Sequence, residues 1–310
     1  MTRHFLADDD LAPDEQGEVL ALAARLKKAP YDTTPLAGPQ TAAMIFDKPT
    51  LRTQASFAAG IAELGGNPML VDGKLAGIGV RESVADVARV LGRQASVIVW
   101  RTYGQDRIET MAEHAGVPVV NALTDDYHPC QLLADLLTLQ EHRGSLPGQT
   151  VAFIGDGACN MGNSWLLAGA TAGLHVRIGA PEGYTPSQEM VERAAAIAQK
   201  TGGSVALEAD PERAVSDADA VVTDTWVSMG KEEEAESRLA VFGGYAVTTD
   251  LLARAKDDAV VLHCLPAYRG KEIEAEVLDG PQSVIWDEAE NRRHAQKAII
   301  AWLLDGEGAR

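Results

Sequence analysis

Short, mainly apolar runs that read as strands recur along this chain, separated by segments with helical spacing. Four fall in the first half, at residues 43–46, 69–71, 97–100 and 118–120. Five fall in the second, at 151–154, 175–179, 220–223, 259–262 and 284–286. Runs without polar alternation suit parallel strands covered on both faces. Helical spacing fills the gaps: within residues 13–28, Val19, Leu22, Ala23 and Leu26 share one face, and residues 131–142 continue the pattern. Residues 290–304 place Ala295, Ala298, Ile299 and Leu303 together. Strands alternating with such helices predict an α/β fold of parallel sheets joined by right-handed crossovers.

A chain of 310 residues exceeds one ordinary core, so two domains are expected. Arg143-Gly144-Ser145-Leu146-Pro147-Gly148 breaks the helical pattern just before the run at Val151. The predicted domains are therefore 1–147 and 148–289, with residues 290–310 returning as a helix to complete the first. Three scattered cysteines and no C-x-x-C argue against a disulfide framework. No apolar stretch is long enough to span a bilayer and no secretory signal opens the chain, so a cytoplasmic location is expected. A net charge of −18 disfavours nucleic acid or an anionic membrane as partner. An anionic ligand would need positive charge gathered locally against that field.

The strand ends carry such groups. After Phe46 comes Asp47-Lys48-Pro49-Thr50-Leu51-Arg52-Thr53-Gln54, where a helix start offers Thr50 and Thr53 hydroxyls beside Arg52. A helix N-terminus with hydroxyls and an arginine suits an oxyanion. Arg101 follows Trp100 directly, and His128-Pro129-Cys130-Gln131 places His128 and Gln131 at the mouth of the next helix. Gly155-Asp156-Gly157-Ala158-Cys159-Asn160 opens like a dinucleotide fingerprint, but Asn160 stands where the third glycine belongs and no acid ends the next strand. Asp224, in Thr223-Asp224-Thr225-Trp226-Val227-Ser228-Met229-Gly230, suits a cationic amine, and His263-Cys264-Leu265-Pro266 ends the run at 259–262. Each has a simpler reading: a threonine cap, a surface ion pair, a capping histidine, a turn aspartate, a half-buried thiol. Together they divide into anion-seeking groups in the first half and amine-seeking groups in the second. No metal-ligand pattern is present.

In this order the motifs resemble the aspartate/ornithine transcarbamoylase family over nearly the whole chain. His128-Pro129-Cys130-Gln131 is similar to its H-P-[TC]-Q, and Asp224 to Gly230 to its D-x-W-x-S-M-G. His263 to Ala267 matches H-C-L-P-A, and Glu288-Ala289-Glu290-Asn291-Arg292 matches E-A-E-N-R. The last three point to the ornithine branch. The resemblance implies carbamoyl phosphate held by Thr50, Leu51, Arg52, Thr53, Gly77, Arg101, His128, Gln131 and Arg292. It implies L-ornithine held by Asn160, Asp224, Ser228, Met229, Cys264 and Leu265. Arg52, Arg101, His128, Asp224 and Cys264 would carry the reaction, with Cys264 a positioning group. Citrulline and phosphate would be the products, in arginine biosynthesis. No cofactor or metal is implied, the Leu265-Pro266 bond is a candidate cis peptide, and the assembly would be a homotrimer or a multiple of trimers with active sites at subunit interfaces.

Two departures concern the donor. The family's S-T-R-T-R reads Thr50-Leu51-Arg52-Thr53-Gln54 here, and Gly77 stands where a neighbouring subunit usually offers Gln. Both would weaken carbamoyl phosphate binding without abolishing it. A different amine acceptor, a non-catalytic binding paralogue and a nicotinamide dehydrogenase are the competing readings.

Overall fold

The computed structural model describes residues 2–227 and 232–305. It divides into two compact units, Met1–Leu137 with Glu290–Arg310, and Thr138–Ala289. The division falls ahead of the Pro147 break, because the helix preceding that break runs on without interruption.

The first unit holds strands β1 (Thr41–Phe46), β2 (Asn67–Asp72), β3 (Val97–Arg101) and β4 (Val119–Leu123). Its helices are α1 (Pro13–Lys28), α2 (Arg52–Glu63), α3 (Gly73–Ala76), α4 (Val84–Leu91) and α5 (Gln105–Ala115). Helix α6 (Pro129–Arg143) begins here and ends in the second unit. The sheet is wholly parallel in the order β2-β1-β3-β4. β1, β3 and β4 are almost fully buried, as their unbroken apolar runs require, whereas the edge strand β2 is half-exposed.

The second unit holds β5 (Thr150–Ile154), β6 (His175–Gly179), β7 (Ser204–Glu208), β8 (Ala220–Thr223) and β9 (Val260–His263), again parallel, in the order β7-β6-β5-β8-β9. Around it lie α7 (Asn160–Thr171), α8 (Gln188–Thr201), α9 (Pro211–Val215), α10 (Ala235–Phe242), α11 (Thr249–Leu252) and α12 (Ala275–Leu278). Helix α13 (Ile285–Leu304) starts in this unit and finishes in the first. Leu132, Leu136, Leu137 and Leu139 of α6 and Ala298 to Leu303 of α13 are buried, and so are polar residues of the same helices, Gln131 and Asp135 on α6 and Asn291, Arg292 and Lys297 on α13.

Two expectations are corrected. Residues 284–286 form no strand: after a single bridge between Ser283 and Val261, the chain enters α13 at Ile285. Asp287 and Glu288 in the first turn favour that helix start through its dipole. β7 has no counterpart among the predicted runs: its apolar stretch, Val205-Ala206-Leu207, is short and only partly buried at the sheet edge.

Candidate active site

In the first sheet the strand order turns back between β1 and β3. At such a point the connections leave in opposite directions, and a crevice opens beyond the carboxyl ends of the strands. Those ends deliver Arg52 and Arg101. Arg101 closes β3 with 7% of its surface exposed, and its Nη1 donates to Thr53 Oγ1 at 3.4 Å. Arg292, on α13, donates Nη2 to the same oxygen at 2.8 Å. Thr53 is fully buried in the first turn of α2, and Thr50 Oγ1 accepts its N–H at 3.4 Å. Leu51, the residue capping this helix, supplies no side-chain hydrogen bond and is 80% exposed.

His128 is buried immediately before α6. Burial, reinforced by Arg292, Arg101, Arg52 and Lys48, holds its pKa well below the ordinary imidazole value, so the ring is neutral at physiological pH. Its carbonyl accepts the Gln131 N–H at 2.9 Å, and the buried Gln131 side chain donates to Asp135 at 2.8 Å. A chain of charge −18 thus gathers four cations around one neutral ring. Lys48 was not among the residues picked out by motif. It pairs with Asp125 at 2.5 Å and lies over the Tyr103 ring at 4.6 Å. Gly77 caps α3 in the left-handed region, φ 65°, with its N–H returned to Gly73 and Lys74 carbonyls. Leu75 and Val80 flank it, exposed.

The second sheet turns back between β5 and β8, and the strand ends there deliver the other candidates. Cys264 Sγ, just after β9, donates to Asp224 Oδ1 at 3.1 Å, and the Thr225 N–H donates to the same oxygen at 2.7 Å. Burial raises the Asp224 carboxyl pKa, with those two hydrogen bonds opposing it. His263 is held from three sides. Its N–H donates to Glu288 at 2.8 Å, its Nδ1 accepts the Leu265 N–H at 2.9 Å, and its Nε2 faces Glu272 Oε1 at 3.2 Å. An accepting Nδ1 fixes the proton on Nε2. Donor atoms of Asp224, His263 and Cys264 lie within 4.8 Å of one another. Both His263 nitrogens are committed, so the imidazole orders the turn instead of offering a lone pair to a metal. Leu265 takes a left-handed φ of 57° ahead of the cis Leu265-Pro266 bond, and its N–H to His263 holds that conformation.

Asn160 opens α7, and Cys159, its capping residue, makes no side-chain cap. The close approach that a dinucleotide fingerprint draws from its third glycine is made here by Gly162: a Cβ there would meet the Gly157 carbonyl oxygen at 2.2 Å. Ser228 and Met229 lie outside the described residues. Glu272, 1% exposed, was not picked out by motif; a carboxylate inside Gly270-Lys271-Glu272-Ile273, nine residues beyond His263, was its only sequence trace.

Comparison with known proteins bears on both halves. The family profile described as "Aspartate/ornithine carbamoyltransferase, carbamoyl-P binding domain" matches residues 3–141, and "Aspartate/ornithine carbamoyltransferase, Asp/Orn binding domain" matches 147–303. The chain belongs to the aspartate/ornithine carbamoyltransferase family. An ornithine carbamoyltransferase of Clavibacter michiganensis subsp. michiganensis is 62% identical over 304 residues, 98% of this chain and 99% of the relative. One from Renibacterium salmoninarum is 59% identical over 98% of this chain and 99% of the relative. Among solved structures, the ornithine carbamoyltransferase from Pyrococcus furiosus superposes with a TM-score of 0.94 at 41% identity, covering 98% of each chain. The two units of this carbamoyltransferase thus correspond to the two halves named in the family profiles, except that by contacts residues 290–310 belong with the first unit.

Proposed function

We propose that this carbamoyltransferase transfers the carbamoyl group of carbamoyl phosphate to the δ-amine of L-ornithine, giving citrulline and phosphate in arginine biosynthesis in the cytoplasm. The observation that carries the reading is the segregation of charge: cations around neutral His128 in one unit, a carboxylate bound by a thiol in the other. Thr50, the Leu51 backbone, Arg52, Thr53, Arg101, His128, Gln131 and Arg292 hold the donor. Arg52, Arg101 and Arg292 meet its phosphate, and the neutral His128 ring donates an N–H to the carbonyl. Asn160, Asp224, Ser228, Met229, Cys264 and Leu265 hold the acceptor.

An alkyl ammonium, with a pKa of about 10, attacks only after losing a proton. Asp224 and Cys264 orient the amine. The ammonium gives its first proton to solvent, the amine nitrogen forms its bond to the carbamoyl carbon, the carbon–oxygen bond to phosphate breaks, and the departing phosphate takes the second proton from nitrogen. Catalysis is then positioning and preorganised charge, with no covalent enzyme intermediate. A thiol already donating to Asp224 is suited to holding the amine and not to attack.

The test is citrulline formation by the purified protein across a range of carbamoyl phosphate. Saturable turnover is expected, and Arg52→Ala should lower kcat/KM for the donor by about 100-fold or more. No turnover at millimolar donor would overturn the reading. A panel of diamines and amino acids checks the acceptor.

The donor-loop departures give a second prediction. Leu51→Thr, at an exposed position, should lower the carbamoyl phosphate KM by about 2- to 10-fold by restoring one hydrogen bond. An unchanged KM would show that the departure does not limit donor binding. Gly77→Gln is a poorer repair, since a left-handed φ costs a side chain about 1–2 kcal/mol and its Cβ would sit 3.0 Å from Arg81 Cβ.

Trimeric assembly belongs to the same proposal. Leu51, Leu70, Leu75 and Val80 of the first unit are 80, 60, 83 and 91% exposed, large apolar side chains that an interface between copies would cover. Light scattering at the mass of three chains checks it.

A further inference from the structure

Arg238 carries a buried charge that the proposed chemistry leaves unused. It lies on α10 with 3% of its surface exposed. Its Nη2 donates to Asp156 Oδ2 in a short ion pair, and its Nε donates to the Trp226 carbonyl. A third group, Nη1, reaches Glu234 at 3.4 Å. The guanidinium also faces the Tyr184 and Phe242 rings at 5.3 and 5.2 Å, and Trp226 stacks on Phe242 with ring centroids 5.9 Å apart.

These partners come from different strand ends. Asp156 belongs to the turn after β5, where its Oδ1 also accepts the Ala158 N–H at 3.1 Å ahead of Asn160. Trp226 stands two residues beyond Asp224, on the segment after β8. β5 and β8 are the neighbours between which the strand order turns back. One guanidinium therefore ties together the two strand ends that frame the crevice of this unit.

Burying such a pair is not the cheapest way to stabilise a fold, because desolvation offsets most of the attraction, and apolar residues of similar size serve as well. What an arginine adds is direction: its fork can bond two acceptors at fixed angles, which a lysine cannot reproduce. The pair also settles local charge. Burial raises the Cys159 thiol pKa, and Asp156 and Asp224 add to the rise, so both carboxylates act on one place. With Asp156 matched by Arg238, Asp224 is left as the carboxylate available to a cationic ligand.

We infer that Arg238 is a positioning residue for the amino-acid acceptor, holding the Asp224–Trp226 segment against the turn after β5 and cancelling the charge of Asp156. It touches no reacting atom. The inference rests on the reading of this unit as the ornithine site.

The test compares wild type, Arg238→Lys, Arg238→Met, Asp156→Asn and the Asp156→Asn/Arg238→Met double variant. Steady-state kinetics are run with ornithine and with carbamoyl phosphate, and ornithine binding is measured calorimetrically with inorganic phosphate in place of the donor. Arg238→Met should raise the ornithine KM by about 10- to 100-fold, the scale of a small misplacement of a binding group, while kcat falls less and the carbamoyl phosphate KM stays put. Arg238→Lys should recover part of the loss, and the double variant should bind ornithine better than Arg238→Met alone. A folded Arg238→Met with an unchanged ornithine KM would overturn the inference. So would a fall in kcat alone, in step with the amount of folded enzyme, since that is what a structural role produces. Should Arg238→Met fail to fold, Asp156→Asn decides: a raised ornithine KM supports the inference and an unchanged one overturns it. A wild type that neither turns over nor binds ornithine removes the functional reading itself, and this inference with it.

Discussion

Arg101→Met is expected to lower kcat/KM for carbamoyl phosphate by about 10³-fold, the loss that follows when a preorganised charge at the reacting group is deleted. Arg101 closes a buried strand, donates to a buried threonine and adds to the positive potential at His128. Methionine keeps most of its volume and none of its charge. Thermal unfolding should separate function from stability. Without ligand the variant should melt no earlier than wild type, because one of several like charges has gone from a crowded site. With phosphate, wild type should gain stability by linkage, about 2.7 kcal/mol at 100 times the dissociation constant, and Arg101→Met should gain little. A variant that kept its donor kinetics and its phosphate-induced rise in Tm would remove Arg101 from the site.

Asp224→Asn should raise the ornithine KM by about 10²-fold or more while leaving the carbamoyl phosphate KM within error. A hydrogen bond between a charged pair contributes about 1.5–3 kcal/mol, and burial strengthens it. The amide preserves shape and can still accept from Cys264 and from the Thr225 N–H, so the change isolates the charge. Cys264→Ala distinguishes positioning from attack: a loss of about tenfold fits a lost hydrogen bond, whereas total loss of turnover would mean a nucleophile. If Asp224→Asn altered the donor KM and not the ornithine KM, the assignment of the two sites would have to be reversed.

Much of this architecture was legible in the chain. Strands buried on both faces announce themselves as apolar runs, and β1, β3, β5, β8 and β9 lie where such runs lie; β2, β4 and β6 were legible too, although Asn121 interrupts β4 and Arg177 interrupts β6. β7 was missed: Val205-Ala206-Leu207 is a short apolar stretch between Ser204 and Glu208 at a partly exposed sheet edge. Residues 284–286 misled in the other direction: Val284-Ile285-Trp286 has the composition of a strand, but acidic residues just beyond it and the apolar face of α13 make it a helix start. Candidate residues carried by contiguous motifs could be named, since strand ends deliver them together. The groups that hold them in place could not. Glu272 fixes His263 from within a loop, and Arg238 sits alone in a short helix, so neither belongs to a motif. Long-range partnership leaves no local trace in a single sequence. Gly77 shows the reverse limit: alignment with a motif gave its place, while its backbone conformation emerged only from the fold.

Arg292 bonds Thr53 across 239 positions of sequence, and residues 138–289 form a separate unit between them. On the ribosome this sets an order of events. The first unit emerges without its last helix, and domains otherwise tend to fold as they appear. Its cation cluster lacks one member until the closing residues of the chain are made. A nascent chain cut short after α6 would thus carry an incomplete cation cluster and, on the proposed reading, an incomplete site for the carbamoyl donor.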